Sequence, residues 1–258
     1  MNDSLKELLE KLCPVVEQDG VYLPIDPTWK NISFSLSGGA DSALLAYLVC
    51  SKLDSVNVHI ITNIRMWKTR PWQRHIAIGV FDYLRDTFPN HNFIRHENFI
   101  SPEIEYGAIG PIIKDRFGNM KAGDQIMARS FAEYICTRDD IEVWFAGVTR
   151  NPKVDSITSG MPDRNIDYAS VDDVKLTLLE YESKLVSHPF VFVSKDWVVK
   201  QYKDLDILDL FNLTRSCEGD FEGLDYTNYK PGQYVPICGE CFWCQERNWA
   251  KEVNGLHD

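Results

Sequence analysis

Positive charge is scarce in this chain. Its 258 residues carry 27 lysines and arginines against 38 aspartates and glutamates, a net charge of −11. A protein that grips a phosphate backbone usually shows a basic face, so general nucleic-acid binding is not expected. Long apolar runs are lacking too: none approaches the ~20 residues of a membrane span. The opening stretch, MNDSLKELLEKL, is amphipathic and lacks the apolar segment of a secretory signal. Internal repeats and low-complexity tracts are absent. These gaps point to a cytoplasmic protein with no membrane partner. What is present is ordinary for a globular chain, with 44% apolar and 25% charged residues. The length suffices for a real core and suggests one or two domains. Seven cysteines make an odd count, and four crowd the C-terminal end. Without a secretory signal, that cluster favours metal binding over disulfides. Cys13, Cys50 and Cys136 lie in apolar or helical surroundings and read as core residues.

Hydrophobic spacing divides the chain into alternating elements. Residues 1–14 read as a short helix, followed by a polar, Pro-containing connector. Strands are expected at Ile32–Leu36, Val56–Ile61, Asn92–Ile94 and Glu142–Ala146. Helices are expected at Ala43–Leu53, Arg74–Thr87, Ile126–Cys136, Val171–Leu185 and Lys195–Tyr202, the last capped by Ser194. Gly107–Gly123 and residues 149–168 read as irregular. The tail from Ser216 shows no periodicity until its very end. Strand–turn–helix repeats of this kind predict an α/β fold: an open, mostly parallel sheet with flanking helices. In such sheets ligands bind beyond the C-terminal ends of the strands.

Ser37-Gly38-Gly39-Ala40-Asp41-Ser42 falls at such an end, after a strand and before an apolar helix. Two glycines allow close approach of the backbone, and the helix N-terminus offers free amides. Ser37 and Ser42 add hydroxyls. The arrangement suits a phosphate or pyrophosphate. Asp41 would repel a bare phosphate, so it either caps the helix or helps hold a magnesium ion bridging the phosphates. The loop has neither the lysine nor the length of a Walker A loop, and it is not GxGxxG.

SGGADS resembles the SGGxDS signature of the PP-loop ATP pyrophosphatases. That resemblance implies ATP and Mg²⁺ as ligands, a Rossmann-like core and cleavage between the α and β phosphates. A substrate oxygen is adenylated, and a nucleophile then displaces AMP.

Cys217, Cys238, Cys241 and Cys244 form C-x20-C-x2-C-x2-C, a spacing suited to tetrahedral zinc. Gly239 permits the tight turn between two of them. Four protein ligands leave no open position, so the zinc reads as structural; an iron–sulfur cluster is the competitor. This end carries a second resemblance. Asn212-Leu213-Thr214-Arg215-Ser216-Cys217 followed by Cys238-Gly239-Glu240-Cys241-Phe242-Trp243-Cys244-Gln245-Glu246-Arg247 is similar to the ending of the QueC family, the 7-cyano-7-deazaguanine synthases. Trp72-Gln73-Arg74-His75, Ala146-Gly147-Val148 and His188-Pro189-Phe190 to Lys195 match further family segments in order, so the resemblance covers about residues 32–249. The Cys217–Cys238 spacer is longer than in the family. Ala122–Arg129 stands in place of its PGRN-like loop, and Thr62–Arg65 in place of an aromatic.

The resemblance implies three segments: an N-terminal extension at 1–30, a PP-loop domain at 31–210, and a four-cysteine zinc lobe at 211–258 packed on it. It implies a ligase acting on a deazapurine carboxylate and ammonia, with a homodimer by analogy. Arg65, Lys68, Arg70, Arg74 and His75 concentrate positive charge within eleven residues. Of these Arg74 matches a family position and is expected to meet triphosphate or a carboxylate. Lys195 matches a lysine shared among several PP-loop enzymes and would face the departing pyrophosphate. Arg247 either pairs with substrate or braces the zinc lobe. Asp163, Arg164 and Asn165 are candidate substrate contacts at the strand-end side. No Ser-His-Asp triad and no paired-carboxylate hydrolase site is evident. Three alternatives stay open: adenylation of another acceptor such as a modified base or a protein C-terminus, tRNA thiolation, and a non-enzymatic zinc module that binds nucleic acid.

Overall fold

The computed structural model describes residues 16–64, 72–99, 134–135, 137–152, 157, 178–181, 184–217 and 237–256. The expected helix at 1–14, the loop at 107–123, the basic residues Arg65, Lys68 and Arg70, and Asp163, Arg164 and Asn165 lie outside them. So does most of the expected helix at 126–136, of which Tyr134 and Ile135 are described and helical.

A short hairpin comes first, β1 (Val16–Gln18) and β2 (Val21–Leu23). The two residues between them, Asp19 and Gly20, have φ of 46° and 79°. Positive φ at both positions is what a tight two-residue hairpin needs, and Asp-Gly is a preferred pair for it. This turn lies within the stretch that reads as connector. Leu23, Ile25 and Trp29 bury themselves against the main core.

Six strands follow in one sheet: β3 (Asn31–Ser35), β4 (Asn57–Ile64), β5 (Asn92–Phe99), β6 (Val143–Phe145), β7 (Leu178–Tyr181) and β8 (Lys184–Ser187). Their spatial order is β5-β4-β3-β6-β8-β7, all parallel except β7, which runs antiparallel to β8. The fold is therefore the expected α/β class with a mostly parallel sheet. Between the strands run α1 (Ala40–Cys50) and α2 (Gln73–Thr87), and after β8 come α3 (Lys195–Asp204), α4 (Leu208–Leu213) and α5 (Phe242–Val253).

The pleat sorts the side chains. Ile32, Phe34, Val58, Ile60, Val143 and Phe145 face the larger core with residues from all five helices, while Ile61, Trp144, Ala146 and Val186 join Ile135 and Ile141 in a smaller one. Phe34 and Phe145 stack at 5.3 Å across neighbouring strands. Nine of the eleven residues of α1 are buried, which explains why its sequence is apolar on nearly every side. The helix starts at Ala40, three residues before its expected start, so Ala40, Asp41 and Ser42 form its first turn.

One expected element is wrong. Val171–Leu185 reads as a helix; residues 171–177 lie outside the described residues, while Leu178–Tyr181 and Lys184–Ser187 form paired antiparallel strands at the sheet edge. The sheet decides the outcome: β8 pairs with β6 and buries Val186 beside it, and this tertiary pairing overrides weak local helical spacing.

Among the described residues, no helix is long and apolar enough to cross a membrane.

Candidate functional site

Strand order fixes where a ligand can enter. From β3 the chain steps outward to β4 and β5, then returns to place β6 on the other side of β3. The loops leaving β3 and β6 therefore diverge at a switch point, where open sheets form their crevice. Ser37–Ser42 leaves β3 and Gly147 follows β6. The two touch: a Cβ on Gly147 would lie 2.8 Å from the backbone of Asp41 and Ser42. Glycine is required there by space rather than by φ.

The turn is built from its own residues. Gly38 has φ of 78°, and a Cβ on it would meet Ile76 of α2 at 2.9 Å. The Gly39 amide donates to Ser37 Oγ at 3.2 Å. The Ser37 amide donates to Ser42 Oγ at 3.3 Å, and Ser42 Oγ donates to the Gly39 carbonyl at 3.2 Å. The Arg215 amide donates to the Gly38 carbonyl at 2.9 Å. Fixed from these sides, the turn presents the first amides of α1, which have no carbonyl within the helix to bond. Tyr202, fully buried, donates to the Ala40 carbonyl at 2.7 Å and holds the helix start from below.

A buried charge cluster lies beside the turn. Lys195, the first residue of α3, bonds both carboxylate oxygens of Asp41, at 2.5 Å to Oδ1. Its side chain is 4% exposed. On its other side Glu246 of α5 comes to 4.0 Å, itself fully buried. The expected pair of loop and lysine is thus brought together by a lysine that comes from 154 residues away. Ser194 precedes α3 in extended conformation, and its hydroxyl bonds Asp196 rather than a backbone amide.

Arg74 sits on α2 and donates through Nε and Nη2 to the two oxygens of Glu97 on β5, at 2.9 and 3.1 Å. Arg247 donates to Thr214 Oγ1 and the Phe211 carbonyl, both at 2.9 Å, and lies 3.8 Å over the Phe211 ring. It braces the C-terminal segment against α4. Residue type alone does not mark Arg215, yet its guanidinium packs 4.1 Å over Trp72 while its amide clamps the glycine turn. Its place between Thr214 and Cys217 was the available signal.

The four C-terminal cysteines converge. The sulfurs of Cys217, Cys238, Cys241 and Cys244 all lie within 4.8 Å of one another. Cys217 and Cys238 are 3.6 Å apart, Cys238 and Cys244 3.8 Å. Gly239 takes φ of 76° between the second and third. Crowding pushes the Cys241 thiol up to about 11, chiefly through its contact with Cys217. Four thiolates this close need a cation, so the donor set fits a metal ion. Tetrahedral zinc with bonds of about 2.3 Å spaces its sulfurs about 3.8 Å apart. A four-iron cuboidal cluster, with one thiolate per corner iron, spaces them about 6 Å apart. The observed spread, within 4.8 Å, is narrower than the cuboidal spacing.

Away from this end lies a second polar cluster. His59 Nδ1 and His96 Nε2 are 2.9 Å apart, with Asp140 3.8 Å from His59 and Tyr134 3.2 Å from His96. Arg138 pairs with Asp140 at 2.8 Å and reaches His96 at 3.4 Å. Desolvation lowers the affinity of His96 for a proton to about 4, with Arg138 adding to it.

The molecule is therefore an α/β protein with a glycine turn at the switch point of its sheet and, nearby, four cysteines that could hold a metal. No family model and no curated protein matches the chain. Among solved structures, it is similar to the U34-tRNA thiolase NcsA from Methanococcus maripaludis with its [4Fe-4S] cluster, at 13% identity and a TM-score of 0.42, over 98% of this chain and 73% of that one.

Proposed function

We propose that the chain is an ATP-dependent enzyme of the PP-loop type, which adenylates an acceptor oxygen and releases pyrophosphate. The observation that carries this reading is the turn itself. Ser37–Ser42 is held rigid at the sheet's switch point, opens onto the first amides of α1, and has a buried lysine on its aspartate. Backbone amides at a helix start suit the β and γ phosphates of ATP. Asp41 would hold Mg²⁺, which supplies charge neutralisation on the pyrophosphate. Lys195 offers a fixed positive charge to the same leaving group, and Arg74 one to the triphosphate or an acceptor carboxylate.

For the acceptor, the family resemblance at Trp72–His75, Thr214–Cys217 and Cys238–Arg247 supports 7-carboxy-7-deazaguanine. Its carboxylate attacks the α-phosphate of ATP and pyrophosphate leaves. Ammonia displaces AMP to give the amide. The amide oxygen is adenylated in turn, and loss of AMP and a proton leaves the nitrile. The four cysteines would hold Zn²⁺ with no open position, a bracing role outside these steps.

A second reading is adenylation of a tRNA base before thiolation, in which the cysteines would carry a cluster. The sulfur spacing favours a single ion and so the first reading. The test is one incubation of purified chain with Mg-ATP, ammonium and 7-carboxy-7-deazaguanine, followed by mass spectrometry and anaerobic metal analysis. Nitrile plus AMP, with one zinc per chain, is the expected result. AMP formed only with tRNA and sulfide, on protein holding iron and labile sulfide, would establish the second reading instead.

A further inference from the structure

The metal site and the glycine turn are joined by two short routes. On the first, Cys217 lies two residues from Arg215, whose amide donates to the Gly38 carbonyl at 2.9 Å. On the second, Cys244 lies two residues from Glu246 in α5, and Glu246 faces Lys195 at 4.0 Å, which in turn bonds Asp41. Both routes end on the turn, and each starts at a cysteine of the metal set. Arg247, in the same helical turn as Glu246, fixes the orientation of α5 through Thr214 and the Phe211 carbonyl.

We infer that Glu246 is a positioning residue for Lys195, and that metal held by the four cysteines sets the affinity of the turn for Mg-ATP. This rests on the ATP reading above. The physical argument concerns a shared counter-ion. Lys195 is almost fully buried, and a buried ammonium without a carboxylate is costly. In the free turn Asp41 supplies that carboxylate. When Asp41 turns to Mg²⁺, Lys195 keeps Glu246, so Asp41 is free to change partner. Without the Glu246 charge, Lys195 has only Asp41 as a carboxylate partner among the described residues, and the pair resists opening to Mg-ATP. Glu246 can act in this way only if α5 is held in place, and Cys241 and Cys244 hold its first turn. Coupling between two sites is reciprocal: metal that tightens Mg-ATP is itself tightened by Mg-ATP to the same degree.

The test uses the full, metal-loaded chain and Mg-ATP as the probe. Titration calorimetry gives its affinity, and the rate of zinc transfer to a chromogenic chelator is followed with and without saturating Mg-ATP. For the wild-type chain, Mg-ATP is expected to slow zinc release about tenfold or more. Glu246→Gln keeps the shape and removes the charge. It is expected to retain one zinc per chain and a wild-type melting temperature, to bind Mg-ATP about tenfold more weakly, and to lose most of the protection against chelation. Glu246→Asp is expected to restore part of both. A merely structural role would instead lower metal content and melting temperature together and leave the affinity of the folded fraction unchanged, which overturns the inference. Equal zinc release with and without bound Mg-ATP overturns it as well. Failure of the wild-type holoprotein to bind Mg-ATP at all sinks the ATP reading, and the inference with it.

Discussion

Two polar clusters border the same sheet, and they differ in what their charges face. In the His59–His96 cluster, aromatic nitrogens bond each other and Tyr134, while Arg138 is satisfied by Asp140. Around the glycine turn, one buried lysine faces carboxylates from two separate elements, and the first amides of α1 have no carbonyl within their own helix. The first arrangement closes on itself. The second holds more bonding capacity than it uses internally. A site is recognised by that surplus, since polarity and perturbed protonation occur in both.

Substitutions can break this contrast. The largest effect is expected from Lys195→Ala. It leaves the Asp41 and Glu246 carboxylates without the lysine they share, which costs about 3 kcal/mol or more of stability, and it lowers AMP formation about 100-fold or more. Chemical denaturation and an AMP assay on the folded fraction read the two separately. Next comes Gly147→Ala. A methyl group 2.8 Å from the Asp41 and Ser42 backbone forces the β6 loop off the helix start, at about 1–3 kcal/mol. Here the nucleotide affinity is expected to fall along with the denaturation midpoint.

The closed cluster, together with the separately buried His188, should respond to pH instead. Burial holds the His96 and His188 affinities for a proton at about 4, against 6.5 in an unfolded chain. The unfolded state therefore takes up protons first as pH falls. Stability is fully present above pH 6.5, declines as pH drops toward 4, and levels off below. Urea midpoints measured from pH 7.5 to 4.5 should show this fall, and His96→Gln should flatten part of it without altering AMP formation at pH 7.5. A variant that also loses activity would mean that the two clusters are coupled. The smallest effect on stability is expected at Arg74. Its pair with Glu97 is 40% exposed on the arginine side, so Arg74→Ala should cost under about 1 kcal/mol. A larger loss in kcat/KM than in melting temperature would mark it as a substrate contact.

The parallel core was legible because its strands are buried and its helices carry apolar spacing: β3, β4, α1 and α2 fall within a few residues of their expected places. The β7–β8 hairpin was not, since its pairing with β6 is a long-range fact that local spacing does not carry. The β1–β2 hairpin did announce itself in Asp19-Gly20, masked by the prolines that follow. In the site, the bonds within Ser37–Ser42 and the convergence of Cys238, Cys241 and Cys244 join near neighbours in the chain, so local pattern could mark them. What local pattern cannot hold is partnership across the chain: that Lys195 falls on Asp41, that Glu246 joins it, or that the Arg215 amide closes on Gly38.

That last bond has a consequence for synthesis on the ribosome. The glycine turn is made first, and the amide and the carboxylate that complete its surroundings belong to Arg215 and Glu246, far downstream in the sequence. A nascent chain that has exposed β3, α1 and β4 carries the turn without its clamp. On the ATP reading proposed above, nucleotide capture waits for these downstream residues, and a ribosome-stalled chain ending before residue 215 should show none.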